Sequence, residues 1–105
     1  MTTTYDFQDG NGPVPAHRHS NGGGWVADTA RVAETAFVGP DARVFGTARV
    51  YDTAGVSGTA RVFGTARVFG NAWVFDTAWV CGNASVFGNA SVSGDTRVFG
   101  ESVLS

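Results

Sequence analysis

Residue types able to do chemistry are sparse in this chain of 105 residues. Two histidines, His17 and His19, flank Arg18 just after Pro13-Val14-Pro15. On an extended strand alternate side chains share a side, so the two imidazoles would face the same way. Three chains about one axis would then present six imidazoles, enough for an octahedral ion. The simpler reading is a pair of solvated or hydrogen-bonded histidines in a capping segment. Cys81 is the single cysteine, which allows neither an internal disulfide framework nor a Cys-based zinc site. Serine and threonine are plentiful, but no His or Lys follows residue 19 to act as their base. The acids Asp28, Glu34, Asp41, Asp52, Asp76, Asp95 and Glu101 fall where turns are expected, and Asp is a turn former. No catalytic residue and no cofactor are expected.

The elements that would position these groups follow from an internal repeat. Val recurs every six residues from Val26 to Val98, and Leu104 takes the next place. Two residues before each stands a small residue: Gly24, then Ala from Ala30 to Ala90, then Thr96 and Ser102. Two residues after each comes Gly, Asp, Glu or Pro. The unit reads A-x-V-x-G-[TN] and runs through 26–105 without insertion. Gly55, Cys81 and Asp95 depart from it. Composition agrees: 15 Val, 14 Ala and 15 Gly, with one Leu and neither Ile nor Lys.

A period of six selects strands. On an α-helix six residues turn by about 240°, so the Val set would scatter over three faces. On a strand six is even, so every Val and its small partner point the same way. Each unit is therefore a short strand, small-x-Val-x, and a two-residue corner where Gly or Asn supplies unusual backbone angles. Such units wind into a three-sided coil in which residue i stacks on i+18. Thirteen hexads make about four and a third turns, a prism roughly 20 Å tall at ~4.8 Å per turn. The fold class is all-β, a three-sided parallel β-helix of about 18 residues per turn with an irregular N-terminal cap.

The pattern resembles the hexapeptide-repeat proteins, whose unit is [LIV]-[GAED]-x-x-[STAV]-x. The segment VGPDAR at 38–43 matches that unit, and the VFGTAR and VFGNAW units look like its uninterrupted bacterial and phage members. The resemblance covers about three quarters of the chain and implies a left-handed winding. It also frames the enzymatic alternatives. Acyltransferases of the family would bring a catalytic His and a loop extruded between coils, yet 26–105 holds neither. The γ-type carbonic anhydrases use three zinc-binding His, and this chain has two.

Residues 1–25 read as a separate N-terminal capping segment, ahead of the repeat at 26–105. Val14 lies twelve before Val26, with Gly10-Asn11 as a corner, so 8–25 is expected to form an imperfect first coil. Tyr5, Phe7 and Trp25 would cover the open end of the core, as a solenoid end requires. The start, MTTTYDF, lacks the layout of a secretory signal, and no apolar run spans a bilayer. A cytoplasmic or virion-associated location is expected, with no membrane partner.

The outward positions carry the functional expectation. On the first side Arg43, Arg61, Trp79 and Arg97 share one column, and Phe45, Phe63, Cys81 and Phe99 the next. On the second side Arg31, Arg49 and Arg67 stand beside Tyr51, Phe69 and Phe87. The third side carries Phe37, Gly55, Trp73 and Ser91 beside Gly39 and Phe75. Exposed aromatic ladders mark interfaces, and Arg and aromatics are enriched there. The alternative is a self-satisfied surface, each ring covered by an Arg in cation–π contact. An interaction module is expected. It would self-associate as a homotrimer, or stack end to end through the open C-terminal end at Leu104, or dock on a larger assembly. A flat face binding glycan or ice is a further alternative, though 26–105 contains no Thr-x-Thr. The net charge of -2 argues against a nucleic-acid partner. One substitution tests the inward assignment: Val68→Asp buries an unpaired charge in mid-stack and should leave the chain unfolded or aggregated, a loss above about 4 kcal/mol. A circular-dichroism melt matching the parent would refute it.

Overall fold

Val and its neighbours alternate in and out, and the backbone bends at a corner every six residues. The computed structural model of the chain describes residues 3–7, 10, 12–101 and 103–104. Among these the fold has sixteen strands and no helix. Three strands open the chain: β1 (Thr4–Asp6), β2 (Pro13–Arg18) and β3 (Trp25–Ala27). Thirteen two-residue strands follow and divide among three faces. The first face adds β6 (Arg43–Val44), β9 (Arg61–Val62), β12 (Trp79–Val80) and β15 (Arg97–Val98) to β3. The second holds β4 (Arg31–Val32), β7 (Arg49–Val50), β10 (Arg67–Val68), β13 (Ser85–Val86) and β16 (Val103–Leu104). The third holds β5 (Phe37–Val38), β8 (Gly55–Val56), β11 (Trp73–Val74) and β14 (Ser91–Val92). Pairing between these strands is parallel with an 18-residue offset, Val50 beside Val68 and Val68 beside Val86. The chain is thus a three-sided β-solenoid of about four turns.

The core is a set of ladders of like residues. Val26 and the inward Val from Val38 to Val86 are fully buried, as are the inward Ala from Ala36 to Ala84. Val and Ala fit this axis because three inward faces meet across a narrow triangle, where a larger side chain would overpack. Between turns, the residues before and after each Val donate their N–H groups to carbonyls seventeen residues on: Arg49 to Ala66 at 2.9 Å and Tyr51 to Val68 at 3.0 Å.

The corners are tied vertically as well. Gly64 has φ +68°, and a Cβ there would lie 2.9 Å from the Gly82 nitrogen, so this corner demands glycine. Beside the glycine, Thr hydroxyls donate to carbonyls one turn up, as Thr47 does to Gly64 at 3.1 Å and Thr77 to Gly94 at 3.0 Å. Seven corner threonines do so among the described residues. Asp52 and Asp76 take the same left-handed angles, φ 59° and 60°. Each accepts the N–H of the glycine one turn above on its carboxylate, Gly70 and Gly94 respectively, at 3.1 Å.

The head departs from the expected first coil. β2 runs antiparallel to β3, with Ala16 opposite Ala27, and β1 pairs antiparallel with β2. Val14 therefore does not occupy the parallel slot below Val32. The reason is the proline pair. In a continued coil the donors to Ala30 and Val32 would be the nitrogens of residues 13 and 15, and proline has no N–H. The head instead closes the first face with β2 and the third face with residues 21–24, where Gly24 donates to Val38 and Val38 to Asn21. On the second face, among the described residues, β4 pairs with β7 alone and its other edge is bare. The corner expected at Asn11 and the small residue expected at Ser102 lie outside the described residues.

Asp52 offers a test of the corner account. Asp52→Ala removes the carboxylate acceptor and places an ordinary side chain at a left-handed φ, which should cost about 1–2 kcal/mol. Asp52→Gly should cost less, because glycine accepts that backbone freely. Urea unfolding of both variants reads the difference, and equal midpoints would contradict it.

Candidate functional site

The three faces place chemically similar residues in different environments. On the first face each arginine has a ring partner, and Arg43 and Arg61 are half-buried while Arg18 and Arg97 stay exposed. Arg61 and Arg97 lie on either side of the Trp79 ring, 5.3 and 4.8 Å from its centroid. Arg43 sits over Tyr5 at 5.5 Å and Arg18 over Trp25 at 4.7 Å. Burial, and then the Arg43 charge, pull Arg61 below the ordinary guanidinium pKa, while Tyr5 acts the other way. Phe45 is 4% exposed because Phe7 of the head stacks on it, and Phe45 in turn stacks on Phe63. Phe63 meets the edge of Trp79. Cys81 lies half-buried in the same column; burial raises its thiol pKa and the Arg97 charge partly opposes this. Phe99 stands 65% exposed above it.

The third face carries a ring that bridges two turns. Trp73 is 40% exposed and reaches Phe37, ring centroids 6.1 Å apart. Gly55 lies between them, where an added Cβ would fall 2.4 Å from the Trp73 ring. What reads in sequence as an irregularity is thus the seat of a tryptophan. Phe75 is half-buried in the adjoining column.

The second face is different. Tyr51, Phe69 and Phe87 stack almost parallel, with centroids 4.9 and 5.0 Å apart and interplanar angles of 1° and 6°. Beside them Arg31, Arg49 and Arg67 are all exposed. Among the described residues none of the three has an ion pair, a side-chain hydrogen bond or a ring partner. At the N-terminal foot of this face lies an open cleft of ≈ 800 Å³. Arg31 and Val32 of β4, Ala33, Arg49, Tyr51, Arg67 and His17 line it. At the opposite end Leu104, in the inward column, is 38% exposed.

The two histidines have separate structural roles. His17 Nδ1 is 2.8 Å from Asp28 Oδ1 in an exposed pair. His19 is 6% exposed, and its Nε2 is hydrogen-bonded to the Ala36 carbonyl at 2.8 Å. Among the described residues no three His, Cys, Asp or Glu side chains gather as a metal site would require. Asp52, Asp76 and the seven corner threonines are occupied in the cross-turn bonds described above.

The 18-residue turn stacks the outward residues in columns, and the head and ring contacts cover those columns unequally. Arg43, Phe45, Arg61, Phe63 and Trp79 belong to a face that the head and its own ring contacts cover in part. Arg49, Tyr51, Arg67, Phe69 and Phe87 form the face left open. Ala33 and the β4 edge were not among the expected interface residues. Pro13 and Pro15 carry the signal that could have found them, since they forbid the coil that would bury that edge. No family model, curated protein or solved structure matches this chain.

Proposed function

We propose that the chain is a non-catalytic structural and interaction module, a hexapeptide-repeat rod that self-associates or docks on a larger bacterial or phage assembly. The observation that carries this reading is the second face: three exposed arginines, without side-chain partners among the described residues, beside a flat aromatic stack. Unneutralised guanidinium groups next to apolar rings are the composition of a protein contact. Arginine suits such a contact better than lysine, because its planar group pairs with carboxylates and stacks on rings. The rigidity of the coil supports the role. Every turn is bonded to the next at its faces and corners, so the column spacing is held without rearrangement on binding. Seven corner hydroxyls and the Asp52 and Asp76 carboxylates already serve the backbone, which favours a scaffold over an acyltransferase-like or carbonic-anhydrase-like enzyme. A cytoplasmic or virion location, with no membrane partner, fits this reading.

Light scattering across a concentration series tests self-association. The protein should exceed its monomer mass of 10.9 kDa at high concentration, with a trimer as the first expectation and an end-to-end series as the second. Arg49→Glu with Arg67→Glu should return it to monomer while leaving the circular-dichroism melt within a few degrees. A strict monomer throughout, or an oligomer indifferent to both substitutions, would count against docking through the second face.

A further inference from the structure

The head of the chain shows how a face of this solenoid receives an extended segment. On the first face the aromatic column ends at Ala27, too small to cover the ring above it. Phe7 takes the vacant place and stacks on Phe45, centroids 4.8 Å apart and planes 21° apart. Two residues earlier Tyr5 stacks on Trp25 at 4.7 Å and lies under the Arg43 guanidinium. A short run of alternating rings, Tyr5-Asp6-Phe7, thus completes columns that the repeat leaves unfinished.

The second face has the same vacancy without an occupant among the described residues. Its aromatic column ends at Ala33, one turn before Tyr51 and just past the β4–β7 pairing, where the Ala33 N–H donates to Val50. Phe69 covers one side of the Tyr51 ring, and the cleft lies beside the ring at the foot of the face. Arg31, Arg49 and Arg67 flank the vacancy. The edge of β4, which pairs with β7 alone, runs along the cleft. Ring, charge and backbone therefore converge on one kind of ligand.

The geometry points to an extended, acidic, aromatic-bearing peptide segment of a partner protein as the occupant of this cleft. Its ring would continue the Tyr51–Phe69–Phe87 column over Ala33. Its carboxylates would meet Arg31, Arg49 and Arg67, and its backbone would add to the β4 edge as a further strand. The inference rests on the second face being a docking surface and names the class of partner.

A synthetic peptide with the sequence of residues 4–9, Thr-Tyr-Asp-Phe-Gln-Asp, supplies the probe, followed by fluorescence anisotropy with the intact protein. It should bind, and Ala33→Phe, which fills the vacancy with the column's own residue, should weaken it by at least about tenfold. Arg31→Glu with Arg49→Glu should weaken it comparably, a second route should Ala33→Phe fail to fold. A peptide with both rings replaced by alanine should lose most of its affinity. Absence of binding, or binding unchanged in the folded variants, would overturn the proposal. So would equal binding of the ring-free peptide, of hexaglutamate or of a uronic-acid oligosaccharide, since each marks a surface that reads charge alone. Particle mass remains a separate readout: a rod that self-associates yet ignores the peptide refutes this inference and leaves the docking role standing.

Discussion

One hydrogen bond, repeated, holds the fold together: the N–H beside each inward Val reaching a carbonyl seventeen residues ahead. Each such bond contributes only about 0.5–1.5 kcal/mol net, but leaving a buried donor or acceptor unmade costs more. The ladder therefore propagates wherever each residue can supply its donor, and it stops where one cannot. It sets the 18-residue turn, which in turn stacks Val on Val and Ala on Ala, and stacks the corner glycines close enough to exclude a Cβ. Proline at 13 and 15 withholds the two donors a coil beneath β4 would need. The head then turns antiparallel and closes two faces of the three.

That interruption, together with Trp79 in the repeat, makes the faces unequal. The result is a partly covered first face, where Tyr5, Phe7 and Trp79 contact arginines and rings, and a second face whose arginines have no side-chain partner among the described residues. Cation–π contacts of about 0.5–1 kcal/mol at exposed sites account for quiet side chains on the first face. On the second face the same residue types have unspent capacity, and the cleft beside Ala33 concentrates it.

Much of this was legible in the amino-acid sequence. The period of six allows strands and not helices, the even spacing puts Val inward, and the two-residue corners follow from Gly, Asn and Asp. The outward columns were legible too, from the 18-residue turn. Coverage was not, because it depends on a head segment without the repeat. Phe7 on Phe45 and Tyr5 on Trp25 join residues tens of positions apart through an antiparallel hairpin that no period announces. Gly55 looked like a lapse in the pattern, and its purpose appears only when Trp73 is seen lying across it. The proline pair was visible throughout, and its meaning required knowing which nitrogens the ladder uses.

Single-residue amide hydrogen exchange tests the ladder and its interruption together. The account predicts slow exchange at Val50, Val68 and Val86, inside the second face, and at Val38, whose N–H donates to Asn21. Val32, on the bare edge of β4, should exchange orders of magnitude faster than those residues. Protection of Val32 equal to that of Val38 would mean that a coil or another segment covers the edge, and the central claim would fail.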